Sequence, residues 1–478
     1  MKILIEGLIE LLSSLFTGLE GLFDKDHSTD TEFGDASKLI SKRNNGFIID
    51  GKNSLDMTTS SKNCAVIAGS GKGKSQVHVL PLLLRQKIEY SAIVNDNSGE
   101  LSQSIPHLLS IGVTALEMNL TRKRDVYINL LDGCKGNIAE VRKVTKSLMG
   151  FASKEQDFFS LSAEDCLSLF IEHVVESESI VHANLGNVYR LILAYQGEPK
   201  VIERYMAEKA SERTWQKFLA LSGNSEKTLK SITATALSVL SWLGDNPVLA
   251  DLTSVTNISF IDFRKAPHVL FIQSPVSDAD FYSPMISLIL QSFYRFAFSS
   301  LPDPKTDLPI MNVLDEFSSL IPGLSNYSQI ISNSRKFLIP QLIALQDESQ
   351  LSSYKELKDN ILQNCYVKCY HGASEKKAFE LEKLLGNYTY TDKETKQKVK
   401  RSLMTASEIR EMDGEILVIA NGKKPLKVKA IPAYKQRRLI KNLNKELREN
   451  NEEQIADYSI QYIDLEPYRK ISKENSNS

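Results

Sequence analysis

The chain has little cysteine and no charge excess. Five cysteines, at positions 64, 134, 166, 365 and 369, are scattered over 478 residues, and none forms a CxxC pair. That excludes a disulfide framework or a cysteine-built zinc site and suits a reducing compartment. Cys365 and Cys369, four apart in a strand-like stretch, read as small core residues. The seven histidines show no HxxxH spacing and read as core or surface residues. With 58 basic and 59 acidic residues the net charge is -1, so the chain is not one that coats itself in nucleic acid. Any such contact must be local, as in a pore or a loop. No internal repeat is visible.

A long unbroken apolar run is missing too. "MKILIEGLIELLSSLFTGLEGLF" is interrupted by Glu6, Glu10 and Glu20, which argues against a membrane span. Leu4, Leu8, Leu11, Leu12, Leu15, Leu19 and Leu22 recur at helical spacing, so an amphipathic helix is expected. Its polar face is acidic, whereas membrane-surface helices favour lysine and arginine, so docking on a membrane and docking on a protein both stay open. It has no arginine-rich leader and no small-residue cleavage site, unlike a signal peptide.

What is present is an alternation. After a polar linker closing the first segment (residues 1–32), residues 33–137 carry the strand-like runs "FIID", "NCAVIAG", "YSAIVND" and "VTALEMN". Helical patterns separate them, which predicts a parallel sheet with crossover helices. Residues 138–251 lose the strand runs and read as an inserted all-α domain. Strands return over 252–434 with "HVLFIQSP", "LPIMNVLDEF", "FLIPQLIALQ" and "CYVKCYHG", and with a hairpin expected around Asn421-Gly422. Residues 435–478 form a charged tail with an expected helix and a loose end.

The chemistry begins at "AGSGKGKS". Ala68, Gly69, Ser70, Gly71, Lys72, Gly73, Lys74 and Ser75 match the P-loop pattern between a strand and a helix, with Ala at the first position, where Gly is the commoner choice. The glycines let backbone N–H groups turn inward around an anion, and the helix N-terminus points at the same spot. Lys74 is expected on the β- and γ-phosphates of ATP, and Ser75 on magnesium. "IMNVLDEF" delivers Asp315 and Glu316 to the end of an apolar strand. Asp315 is expected to hold the metal through water and Glu316 to polarise the attacking water. Gln346, ending "FLIPQLIALQ", is expected to sense the γ-phosphate or orient water. Arg335 is expected either to reach a neighbouring subunit's nucleotide or to be a surface charge.

The order of blocks resembles the TraG/TraD-type coupling proteins of type IV secretion, RecA-like ring ATPases related to the FtsK and HerA translocases. The resemblance covers residues 33–434 and rests on the P-loop followed by "SQVHVLPLLL", on "NDNSGEL", and on "VLDEFSSLIPGLSNYSQIISNSRKFLIPQLIALQ". "NILQNCYVKCYHG" and the closing "RSLMTASEIREMDGEILVIANGKKPLKV" complete it. Ser98 stands where the family has lysine in its "DPKGEL" turn, which leaves the role of that turn open. Family members usually carry two membrane spans before the ATPase domain; this chain has only the acidic-faced amphipathic segment.

The resemblance implies an α/β, RecA-like P-loop NTPase fold with a parallel-rich sheet and an inserted all-α domain. It implies a homo-hexameric ATP-driven pump for single- or double-stranded DNA or a relaxase–DNA complex, working with type IV secretion channel components at the inner face of the membrane. Arg122, Lys123 and Arg124 are a candidate DNA contact, with a solvated surface as the alternative. Two other functions fit the motifs: a FtsK/HerA-type chromosome pump, and an adaptor that binds nucleotide without hydrolysing it.

Overall fold

The computed structural model describes residues 30–151, 157–324, 326–392, 394, 396–446 and 457–474. The expected amphipathic segment before residue 30 lies outside them. The strands are β1 (Cys64–Ile67), β2 (Ser91–Asp96), β3 (Thr114–Asn119), β4 (His268–Gln273), β5 (Ile310–Leu314) and β6 (Gln341–Leu345). They continue with β7 (Val367–Tyr370), β8 (Asn387–Thr391), β9 (Lys398–Ser402), β10 (Glu415–Ala420) and β11 (Leu426–Lys429). The main sheet runs β11-β10-β7-β1-β6-β5-β2-β4-β3, and β8 and β9 form a separate ribbon. From β7 to β3 every neighbouring pair is parallel; β10 is antiparallel to both β7 and β11.

The parallel strands are apolar from end to end because both faces are covered. Along each strand alternate residues enter different cores. Val66, Val94 and Val313 join Leu80 and Leu82 of the helix after β1. Ala65, Ile93 and Leu314 join the inserted helices on the other face. The chain order jumps across the sheet, so the carboxyl ends of β1, β6, β5 and β2 lie side by side. In open α/β sheets ligands bind at that edge.

"FIID" does not become a sheet strand. It makes one bridge, Ile48 to Ser54, and then turns, because Asp50 Oδ1 accepts the Lys52 and Asn53 N–H groups at 2.8 and 2.6 Å. A carboxylate that captures the backbone two and three residues on competes with ladder pairing. The Asn421-Gly422 hairpin forms between β10 and β11, with Gly422 at φ +70°.

Between β3 and β4 the chain is helical: α1 (Ile138–Met149), α2 (Phe158–Ser177), α3 (Leu185–Gly197), α4 (Pro199–Lys209), α5 (Glu212–Ser222) and α6 (Glu226–Ser238). The caps are written in the sequence: Asn137, Asp157, Asn184, Ser211 and Ser225 each accept a first-turn backbone N–H. Glu172 of α2, 1% exposed, is held by Arg213 at 3.0 Å and Lys217 at 2.6 Å, which fastens α5 to α2.

Part of the C-terminal segment is packed onto the fold. Residues 457–474 lie across the helical insert and finish in a helix, Glu466–Glu474. Buried Asn187 reads their backbone, donating to the Gln461 carbonyl at 2.9 Å and accepting the Ile463 N–H at 2.9 Å. Ile463, Leu465 and Tyr468 are buried, and Arg469 forks onto Glu198. The tail composition is charged, but its few apolar residues find a groove that only the folded insert provides.

Asn63, just before β1, ties the start of that strand to the start of β6 and to the helix ends that precede β6 and β7. Its Nδ2 donates to the Ile331 and Asn364 carbonyls, each at 3.2 Å, and its Oδ1 accepts from Ser334 Oγ and the Gln341 N–H, each at 3.0 Å. Its φ of +65° also suits asparagine. Asn63→Ala is expected to cost about 3 kcal/mol, from orphaned buried groups and a disfavoured backbone angle. Urea unfolding monitored by tryptophan fluorescence checks this; a loss below about 1 kcal/mol contradicts it.

Candidate nucleotide-binding site

The loop after β1 is anchored by the Ala68 N–H, which donates to the Leu345 carbonyl of β6 at 3.0 Å. Gly71 and Gly73 have φ of +73° and +82°, angles that side chains resist, and so they allow the backbone to curl. Gly69, Ser70, Gly71 and Lys72 are exposed at its rim. Lys72 Nζ reaches Asp413 Oδ1 at 3.4 Å and so leans on the turn before β10. Lys74 Nζ donates back to the Ala68 carbonyl at 3.2 Å. The following helix opens with a π turn, Ser75–Val79, before Leu80–Leu83. Pro81 removes the N–H that an α ladder needs there.

Across the edge stands the end of β5. Ser75 Oγ donates to Asp315 Oδ2 at 3.5 Å. Burial pushes the Asp315 carboxyl above its usual range; Lys74 opposes this, while Glu316 and Asp96 add to it. Glu316 is left-handed, φ +52°, and its N–H donates to Asp315 Oδ1 at 3.2 Å. A non-glycine residue held there marks stored strain at the strand end. Gln346 directly follows β6, the strand between β1 and β5, and is exposed on the same edge.

Lys74, Ser75, Asp315, Glu316 and Gln346 thus share one edge, and Arg335 does not. It is exposed before β6, in a turn whose Leu338 carbonyl accepts the Ile310 N–H that begins β5. That is the amino edge of the sheet. The run at 122–124 is occupied: Arg122 and Arg124 face Glu117 at 3.3 and 3.7 Å, and Lys123 pairs with Asp251 at 2.7 Å and Asp457 at 2.6 Å. These ion pairs favour the surface alternative over a DNA contact.

A histidine pair behind the loop was invisible in the sequence. His78 Nε2 and His371 Nε2 are 2.8 Å apart, and His78 Nδ1 donates to the Ile48 carbonyl at 2.8 Å. His78 therefore accepts at Nε2, and His371 donates. The His371 N–H also bonds the Ile67 carbonyl at 3.0 Å, directly before the loop. The two rings come from positions 293 apart, with no spacing signal between them.

Residues 21–456 match the family described as Type IV secretory system Conjugative DNA transfer. The chain belongs to this family. Among curated members it is similar to Protein VirD4 of Rhizobium radiobacter, 24% identical over 427 residues, covering 82% of this chain and 60% of that protein. The VirD4 of Agrobacterium fabrum is 24% identical over 400 residues, 78% of this chain and 59% of that protein. The chain thus spans about three-fifths of the length of these relatives. Among solved structures it is similar to the plasmid coupling protein TrwB in complex with the non-hydrolysable ATP analogue ADPNP. That match has a TM-score of 0.63 at 16% identity over 84% of this chain and 93% of that one. TrwB in complex with ADP and Mg2+ gives a TM-score of 0.62 at 17% identity over the same 84% and 93%. This member of the conjugative-transfer family therefore has the TrwB-like fold, a RecA-like α/β domain with a helical domain. Among its described residues no helix is long and apolar enough to cross a membrane.

Burial lowers His78 from 6.5 to about 4 and His371 from 6.5 to about 3, so both rings are neutral in the folded chain. An unfolded chain takes these protons near pH 6.5. Stability is therefore full above pH 6.5 and is lost as pH falls toward about 4, at up to about 1.4 kcal/mol per pH unit for each ring. His371→Asn is expected to flatten the fall in thermal midpoint over that window. Equal slopes for parent and variant contradict it.

Proposed function

We propose that this chain is an ATP-hydrolysing motor of conjugative DNA transfer that links a DNA–relaxase substrate to a type IV secretion channel. The observation that carries this is the 3.5 Å approach of Ser75 Oγ to Asp315 Oδ2, between an anion cradle and a half-buried acid. A hydroxyl and a carboxylate are hard oxygen donors that suit magnesium. Magnesium, when bound, supplies positive charge against the phosphate oxygens. The solved TrwB complexes with ADP and Mg2+ and with ADPNP, alike in fold, support the same ligands here.

Ser75 and Asp315 would hold the metal, Asp315 through water. The backbone of Gly69, Ser70, Gly71, Lys72 and Gly73 wraps the phosphates. Lys74 leaves the Ala68 carbonyl for the β- and γ-phosphate oxygens. Glu316 orients and polarises the attacking water, and Gln346 contacts the γ-phosphate or that water. Arg335, on the far edge, is too distant to serve its own site. It serves a neighbour's in a homo-hexamer, where its fixed charge stabilises the transferring phosphoryl group. DNA is held by its phosphates, because a pump must accept any sequence. The motor sits at the inner face of the membrane through a partner or its amphipathic first segment.

Purified protein is expected to hydrolyse ATP only with magnesium, and faster when DNA is added. Lys74→Ala is expected to lower turnover at least about 100-fold with an unchanged melting profile, and Glu316→Gln to do the same while retaining nucleotide. Steady-state ATPase assays and calorimetric titration check both. Nucleotide binding by the parent without any turnover, with or without DNA, overturns the motor in favour of a non-hydrolysing adaptor.

A further inference from the structure

The end of β2 and the turn that follows it carry no role in the proposed hydrolysis. Asp96, the last residue of β2, is 1% exposed. Asp96 Oδ2 accepts the Ser102 N–H at 2.9 Å, while Oδ1, equally buried, has no hydrogen-bond partner. Strand alternation puts Asp96 on the face of Ala92 and Val94, which pack with Leu80 and Leu82 beyond the P-loop. The same turn touches that helix again, since Gln76, next to Ser75, donates to Glu100.

Asp96 is also a neighbour of Asp315. β2 pairs with β5 in the register Asn95↔Leu314, so the two acids end adjacent strands. Asn95 Nδ2 fixes that alignment by donating to the Asp315 carbonyl at 2.9 Å. Two carboxylates side by side in a poorly hydrated place repel each other, and a buried oxygen with no donor is costly. A divalent cation relieves both.

We infer that Asp96 is a positioning residue for the divalent cation of the nucleotide site, its free, buried Oδ1 adding a second carboxylate to that of Asp315. The inference rests on the nucleotide site proposed above. It also gives the "NDNSGEL" turn a task that does not need the lysine missing at Ser98.

The test uses the full chain with ADP as probe. Asp96→Asn keeps an acceptor for the Ser102 N–H and removes the charge. Magnesium is titrated at fixed ADP, with binding read by calorimetry, and ADP affinity is measured separately in EDTA. The magnesium midpoint is expected to rise about 10-fold, as for loss of an outer ligand partner, with ADP affinity in EDTA within about twofold of the parent's. An unchanged midpoint overturns the inference. So does an equal loss of ADP affinity in EDTA, which marks a structural role only. Should Asp96→Asn not fold, Asp96→Ser carries the same two expectations. A parent that binds no ADP at any magnesium concentration sinks the nucleotide site itself, an outcome distinct from a parent that binds while the variant matches it.

Discussion

The structure depends on a carboxylate kept where a carboxylate is unstable. Asp315 follows a fully buried strand and stands beside a second acid, and the Lys74 ammonium, with the Glu316 N–H, opposes its discomfort. Such an arrangement is poor for stability and good for holding a cation, because the field is already in place when the ligand arrives. The surrounding fold is arranged to keep that geometry. β6 separates the loop from the acid by one strand, Asn63 locks the start of β1 to β6, and the histidine pair braces the loop from behind without adding charge.

The helical insert answers a different need. It buries its own core and shares one with the face of the sheet opposite the P-loop helix. The C-terminal segment then crosses it, with Lys123 gripping both Asp251 of the insert and Asp457 of the tail. A basic run that looks free in one dimension is thereby spent on joining three parts of the chain. Its exposed neighbours contribute little individually, but the fork of Arg469 on Glu198 and the Asn187 backbone contacts make the tail a part of the insert.

Much of the site was legible because its elements are local. A glycine-rich turn followed by Lys-Ser, and an apolar strand ending in two acids, each carry their chemistry within eight residues, and the fold brought them to one edge. The helix caps are equally local, each joining a side chain to an N–H three residues on. "FIID" misled because its apolar pattern is a strand's, while the Asp50 side chain captures the backbone and turns it. The tail misled because charge dominates its composition, although three buried residues decide its position.

By itself the sequence determined the alternation of strand and helix, the phosphate-binding turn and the acid pair, since each depends on neighbours along the chain. Only the tertiary structure decided which strands are adjacent, and with that the approach of Ser75 to Asp315, the pairing of His78 with His371, and the unpartnered oxygen of Asp96. Strand order is set by crossovers between distant segments, and a contact across hundreds of residues leaves no period in one dimension to read.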